Sequence, residues 1–297
     1  MTIPERVLED YRDNGFAVLR GVVDADLLAE LDQHVTWLGH KYPDLRPEDY
    51  HHPLMRDDAF WVRTVTDPRL VDVAEAVLGP DLALFTAHYV CKPPRDGRPV
   101  LWHQDGAYWN LEPMEALTVW LAVDPSTRAN GCLRIIPGSH RIPLFAPESR
   151  NDVPNMLRSA TAPAVVDEWA AKAGIVDIEL APGDVSIHHP NILHCSKPNT
   201  SAMRRCGLDM GFMSTATAIS NHGLYLDPIL VRGRAVPGVN RYRDRPRYVS
   251  GESIEFRGHE TWNARLADRP AAAVPDESPL EITHRMIERL KAGTVKR

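Results

Sequence analysis

The chain has 297 residues, 43% of them hydrophobic and 25% charged, enough to bury an extensive core in one domain or two. Its formal charge of -6, with acids and bases interspersed, offers no attraction to phosphate backbones or anionic lipid and argues against nucleic-acid or membrane partners. Cys91, Cys132, Cys195 and Cys206 lack CxxC spacing and are too few for a disulfide framework. With a charged, mixed N-terminus and no apolar run of membrane-spanning length, they lead us to expect a cytoplasmic protein.

Residues 5 to 21 begin in a helical pattern, turn at Asn14-Gly15, and continue as a short strand over Phe16-Ala17-Val18-Leu19-Arg20. Asp24 stands at an N-cap position before Leu27, Leu28, Leu31, Val35 and Leu38, which recur on one helical face. Residues 41 to 58, rich in Pro, Asp and His, read as a loop. Pro68 to Leu78 reads as a second amphipathic helix, closed by Gly79-Pro80.

After residue 80 the pattern changes to short β-rich segments between Gly and Pro turns: 82–91, 118–123, 132–136, 176–180, 185–189 and 205–213. That spacing predicts an antiparallel sandwich or barrel. Residues 141–174 and 218–257 read as long irregular insertions, of the kind that cover a site.

The segment that points to chemistry is Trp102-His103-Gln104-Asp105-Gly106. Residues two apart on a strand or its margin project to the same side, so His103 and Asp105 can offer an imidazole and a carboxylate to one ion. With 13 His and 40 acidic residues, roughly two His-x-acid matches arise by chance, so the pair alone means little.

A second cluster adds weight: the turn Ala181-Pro182-Gly183-Asp184, the strand ending in His188-His189, and His194 five residues beyond. Two imidazoles and one carboxylate on adjacent strands hold one face of an octahedral ion and leave the other face open. That suits Fe(II), which must take a chelating cosubstrate and dioxygen; a closed structural zinc site would want four protein ligands. Ten and eleven residues past His194 stand Arg204-Arg205, and a guanidinium there can grip a carboxylate bidentately.

These segments, together with Lys92-Pro93-Pro94, Asn130-Gly131-Cys132-Leu133, Pro137-Gly138-Ser139-His140, His189-Pro190 and His194-Cys195-Ser196, resemble the phytanoyl-CoA dioxygenase family. The likeness covers about residues 8 to 215. It implies a mainly β fold with helical support (α+β): a double-stranded β-helix, a jelly roll of cupin-like form, flanked by N-terminal helices. It further implies iron held by His103, Asp105 and His194, and Arg205 rather than Arg204 on the 2-oxoglutarate C5 carboxylate. Ser196 would add a hydroxyl there, and Trp120 and His88 would line the cosubstrate pocket. His88 departs from the residue type usual at its position; Thr86 shares its face and is the substitute. Asp105, where a smaller residue would leave a coordination position to halide, favours hydroxylation.

The expected activity is that of a dioxygenase that uses Fe(II), 2-oxoglutarate and O2 to hydroxylate a small-molecule substrate, such as a natural product, amino acid or acyl derivative, and releases succinate and CO2. The expected organisation is a single catalytic domain over 1–297: helical support in 1–80, the β core in 81–215 with the insertion 141–174, and an extension in 216–297 covering the site. A monomer or homodimer is expected.

His189 is the rival to His194 as distal ligand, His188 has the opposite strand parity and reads as structural or surface, and His140 as a turn residue. Tyr108, Trp109 and Asn110 follow the His-x-Asp turn closely enough to meet substrate. Arg232, Arg234, Arg241, Arg243, Arg245 and Arg247 cluster either as a phosphate site for a CoA ester or as a solvated face or subunit contact. Two other readings stand beside this one. A cupin-like metalloenzyme without 2-oxoglutarate would not need Arg205; a non-catalytic small-molecule-binding β-barrel would not need an intact ligand set.

Overall fold

Helix signals in the first third decide where its elements start and stop. The computed structural model describes residues 1–220, 227–256, 281, 283–285 and 288. Its first helix, α1 (Glu5–Asn14), stops at Gly15, whose φ of 81° turns its N–H back to the Tyr11 carbonyl; β1 (Phe16–Leu19) follows. Asp24 caps α2 (Ala25–Lys41) by accepting from the Leu27 N–H at 3.0 Å. Leu27, Leu31, Val35 and Leu38 are buried on the expected face.

The stretch expected as a loop contains β2 (Tyr50–His51) and leads into α3 (Ala59–Val65), capped by Asp58. Seven residues span too few turns to display a period, so sequence pattern alone passes over α3. In α4 (Pro68–Leu78) the structure keeps the expected bounds, with Pro in the first turn and Gly79 closing the last.

The remaining elements, in order, are β3 (Leu82–Lys92), β4 (Val100–His103), β5 (Leu111–Glu112), β6 (Ala116–Ala122), β7 (Leu133–Ile135), β8 (Glu148–Ser149), β9 (Ser159–Ala160), α5 (Pro163–Ala173), β10 (Val176–Ile178), β11 (Val185–His188), β12 (His194–Ser196), β13 (Arg205–Ser214), β14 (Ala218–Ile219) and β15 (Ile229–Arg232). Most of the strands form two antiparallel sheets, and β5 with β14 and β8 with β9 make separate two-stranded pairs. The larger runs β1-β11-β6-β13-β3-β15, with β2 on β3; the smaller runs β10-β7-β12-β4. This is the jelly-roll core with helical support that the sequence leads one to expect.

The first insertion is a correction: residues 141–174 are not irregular throughout but hold the β8–β9 hairpin and α5. Pro163 at its first turn and Gly174 past its end are helix signals. Val166 is buried, and Val165, Trp169 and Ala170 are partly buried against the same apolar cluster, a short stripe that strengthens them.

Strand alternation gives the larger sheet two unlike faces. Leu117, Val119 and Leu121 of β6, Ile187 of β11, and Leu208, Met210 and Phe212 of β13 join Leu31, Phe60, Trp61 and Leu70 from the helices in one apolar cluster. Each such side chain contributes about 1.5–3 kcal/mol by leaving water. The other face lines a cavity of about 150 Å³ between the sheets.

Candidate metal centre and anion pocket

His103 ends β4, and His194 opens β12 directly across from it, with ring centroids 4.1 Å apart. Asp105 follows in a single 3-10 turn, which swings its carboxylate back between the two imidazoles. Its Oδ1 lies 3.2 Å from His103 Nε2 and 3.5 Å from His194 Nε2. Two ligand atoms at right angles on a metal, each about 2.1 Å from it, are about 3 Å apart, so the three donors already sit as one face of a coordination sphere.

The imidazole tautomers are also set. His103 Nδ1 donates to the Leu101 carbonyl at 2.8 Å and His194 Nδ1 to the Ile192 carbonyl at 3.0 Å. Each Nε2 is thereby the nitrogen that faces Asp105, and the one that offers a lone pair once it gives up a proton to take a metal. Burial and the neighbouring His194 push the His103 pKa down, keeping that ring neutral as a ligand must be. Burial would raise Asp105, but the neighbouring His194 charge and the hydrogen bond from His188 outweigh it and hold the carboxyl well below its ordinary range.

The second oxygen of Asp105 is braced from the larger sheet. Its Oδ2 accepts from Thr118 Oγ1 at 3.0 Å and from His188 Nε2 at 3.2 Å. The structure therefore places His188, not His189, beside the cluster. His189 lies on the other side of the strand end, where its Nδ1 accepts the Asn191 N–H and its ring faces His140 and Tyr11. The signal for this was present: Val185 and Ile187 belong to the apolar face, which leaves Ser186 and His188 for the cavity.

Arg205, the first residue of β13, is 1% exposed, and its Nε and Nη1 have no hydrogen-bond partner. Its guanidinium lies 4.8 Å from the Trp120 ring centroid. The indole crosses β13 where a side chain on Gly207 would collide with it, so that glycine makes the stacking possible. Burial pushes Arg205 down to about 10, still protonated at neutral pH. An uncompensated buried cation of this kind calls for an anion. Arg204 faces the other way, held by Asp124 at 2.7 Å and Asp32 at 2.6 Å.

Of the other expected pocket residues, Ser196 lines the cavity and its Oγ accepts from Lys92 Nζ at 2.7 Å. His88 lines it too, neutral because burial pushes its pKa down to about 3; its ring stands 5.1 Å from that of His51. Thr86, Tyr108 and Trp109 are also in the wall, whereas Asn110 is not. Sequence reasoning passed over Asp209, in register with His88 and Trp120 on the cavity face. Burial, and then Asp105, push its carboxyl well above the usual range.

Met156 and Leu157 bring the first insertion into the cavity wall. Among the described residues of 216–297 none lines it, and 221–226 and most of 257–297 lie outside the described residues. Three of the clustered arginines are taken up elsewhere: Arg232 pairs with Asp72 and Glu75, Arg241 with Asp227, and Arg243 with Asp57.

A jelly roll with a two-histidine, one-carboxylate cluster and a buried guanidinium lining one cavity defines a class: cupin-like proteins with a mononuclear metal site. Within it, the chain belongs to the phytanoyl-CoA dioxygenase (PhyH) family, whose model matches residues 11–207. It is 30% identical over 176 residues to a probable alpha-ketoglutarate-dependent hypophosphite dioxygenase of Stutzerimonas stutzeri, covering 58% of this chain and 60% of that protein. It is likewise 30% identical over 165 residues to L-proline trans-4-hydroxylase of Streptomyces griseoviridis, 51% of this chain and 62% of the relative. The chain thus spans about three fifths of the length of these curated relatives.

Among solved structures, the non-heme monooxygenase ThoJ superposes with a TM-score of 0.67 at 21% identity, over 96% of this chain and 98% of that one. EctD from S. alaskensis, solved with 2-oxoglutarate and 5-hydroxyectoine, gives 0.60 at 22% identity over 81% and 87%. These two share the fold with this chain.

Proposed function

We propose that the chain is an Fe(II)- and 2-oxoglutarate-dependent dioxygenase that hydroxylates a small molecule and releases succinate and CO2. The observation that carries the reading is Arg205: a buried guanidinium with two unpartnered nitrogens, in the same cavity as a preformed two-histidine, one-carboxylate cluster. The cluster alone would serve many metal enzymes; the orphaned cation adds the demand for a carboxylate.

In this reading His103, Asp105 and His194 hold the iron, and Thr118 and His188 keep Asp105 aimed at it. Arg205 takes the distal carboxylate of 2-oxoglutarate, with the Ser196 hydroxyl beside it and Trp120 as the floor. His88, a neutral ring, adds wall without charge. Bound there, iron with 2-oxoglutarate and O2 supplies the oxidising power that replaces a substrate C–H hydrogen by hydroxyl. Asp105 occupies the position that halide would need, which supports hydroxylation over halogenation.

Tyr108 and Trp109, in the cavity wall just after the ligand turn, are placed to meet the substrate. The names of the relatives, with hypophosphite, L-proline and, in a Streptomyces arenae protein, 1-deoxypentalenic acid, support a small substrate. The ion-paired arginines 232, 241 and 243 support a substrate without CoA phosphates. We read one catalytic domain, cytoplasmic, monomeric or homodimeric, without nucleic-acid or membrane partners. The net charge of -6 supports the reading without nucleic-acid partners, and the four free buried cysteines support a reducing compartment.

The test is an anaerobic titration of 2-oxoglutarate into the Fe(II)-loaded protein, followed by succinate measurement in air with a panel of small molecules. A visible charge-transfer band and substrate-stimulated succinate are expected. Neither appearing would sink the reading. Activity that survives Arg205→Ala unchanged would favour the cupin-like enzyme that does not use 2-oxoglutarate.

A further inference from the structure

Lys92 and Arg205 are direct cross-strand partners on β3 and β13, and both are essentially sealed from solvent, at 0% and 1% exposure. Like charges directly opposite one another destabilise a sheet, and burial makes the repulsion worse. Neither side chain forms a hydrogen bond or ion pair with a carboxylate among the described residues; the acids of the strand ends are engaged elsewhere, Glu48 by Arg46 and Arg98 and Asp124 by Arg204. The fold thus holds two buried cations side by side at one end of the cavity.

The Lys92 contacts show how the second cation is used. Its Nζ donates to Ser196 Oγ at 2.7 Å, to the Lys197 carbonyl at 2.5 Å and to the Ser196 carbonyl at 3.4 Å. Three acceptors match the three hydrogens of an ammonium. Gly131 lies against the Lys197 carbonyl, where a side chain would collide with it, so the 130–131 turn helps hold that acceptor in place. Because Ser196 Oγ accepts from Lys92, its own hydrogen must point elsewhere, and the described residues give it no acceptor. Ser196 lines the cavity along with Arg205.

We propose that Lys92 is a positioning residue for the cosubstrate: it fixes the Ser196 hydroxyl as a donor into the cavity and, with Arg205, makes this end selective for 2-oxo acids that carry a second, distal carboxylate. The inference rests on the 2-oxoglutarate reading above and assigns to Lys92 a part in it. Lys92 reaches the bound anion through Ser196 and does not touch it. Burial, and next the Arg205 charge, pull the Lys92 pKa well below its ordinary value. A carboxylate bound at Arg205 opposes both effects, so binding and the lysine's protonated form support each other.

The experiment compares two ligands on the Fe(II)-loaded, anaerobic protein: 2-oxoglutarate, and 2-oxobutyrate, which has the same chelating end and no distal carboxylate. Dissociation constants are read from the charge-transfer band, and metal-free melting temperatures are recorded alongside. The wild type is expected to prefer 2-oxoglutarate strongly. Lys92→Gln, which keeps N–H donors for the neighbouring carbonyls, is expected to weaken 2-oxoglutarate about tenfold or more while moving 2-oxobutyrate about twofold or less. Lys92→Met should go further in the same direction; if it does not fold, the Gln variant decides.

A purely structural lysine would weaken both ligands alike, or lower the melting temperature with the ratio between ligands intact, and either result overturns the inference. A wild-type protein that shows no band with 2-oxoglutarate overturns the functional reading itself, a separate outcome.

Discussion

The larger sheet presents two faces built from alternate residues of the same strands, and they are stabilised in opposite ways. On β6, Leu117, Val119 and Leu121 turn to the helices and join an apolar cluster whose members are nearly all closed to water. Of their immediate neighbours, Thr118 turns the other way to Asp105 and Trp120 lines the cavity, where β13 adds Arg205 and Asp209 and β11 adds His188. The apolar face is satisfied by the protein alone. The cavity face is left with unmet polar demand, including two guanidinium nitrogens of Arg205 and the Nδ1 of His188. One face supplies the stability that the other consumes, and the unmet demand marks what is to be bound.

The sharpest way to break this comparison is to change one face and measure the property assigned to the other. His103→Ala is expected to abolish Fe(II) binding and to reduce turnover by at least about a thousandfold, while metal-free melting moves little. A large loss of metal-free stability would show that the cluster also holds the fold. Leu208→Ala, on the apolar side of β13, is expected to remove about 2–5 kcal/mol by opening a cavity at a fully buried position. The folded fraction should keep its Fe(II) affinity, read by titration below the unfolding transition.

The same division explains what could be read in advance. The β-rich segments of β6, β11 and β13 are written directly in the chain, so an antiparallel sandwich or barrel was legible, and the resemblance to the family narrowed it to a jelly roll. The helix caps at Asp24 and Gly79 were legible too. His103, Asp105 and His194 were legible as residue types and spacings, although their convergence depends on β4 pairing with β12, which no local pattern states.

Cross-strand register is where legibility stopped. Nothing along the chain says that Lys92 faces Arg205, or that Asp209 lies level with His88 and Trp120. His188 was read as structural or surface for a narrower reason: its parity was counted from His189, whereas Val185 and Ile187 on the apolar face leave Ser186 and His188 for the cavity. In α5 the flanking Pro163 and Gly174 were visible, and so was a short apolar stripe at Val165, Val166, Trp169 and Ala170 that the reading of 141–174 as irregular passed over.

A smaller effect tests whether the cavity face works as a unit. Thr118→Val keeps the volume and the strand propensity but removes one of the two donors to Asp105 Oδ2. Partners of this kind orient a ligand and typically matter by about 10–100-fold in metal affinity. We expect Fe(II) affinity to fall within that range, with 2-oxobutyrate binding to the iron-saturated variant unchanged. An unaltered Fe(II) affinity would mean that His188 alone suffices to aim the carboxylate.

The smallest effect concerns a buried polar group whose demand is fully met inside the protein, and it guards against reading every buried acid as functional. Asp184 accepts from Arg20 at 2.6 Å and from the Gly21 and Ala181 N–H groups at 2.9 Å, tying β1 to the turn before β11. Burial acts to raise its pKa, but the Arg20 hydrogen bond and the two backbone donors outweigh it and the net shift is downward. A folded pKa below the unfolded value of about 3.9 means that the contribution is complete above about pH 5 and is lost as pH falls through the folded value. Asp184→Asn should therefore cost about 1–2 kcal/mol at pH 7, the exposed Arg20 partner keeping the figure modest. The gap to wild type should narrow in urea melts taken below pH 4. Fe(II) and 2-oxoglutarate affinities should not change. A gap that widened toward acid would reverse the sign assigned to Asp184, and a fall in either affinity would show that this corner reaches the cavity face after all.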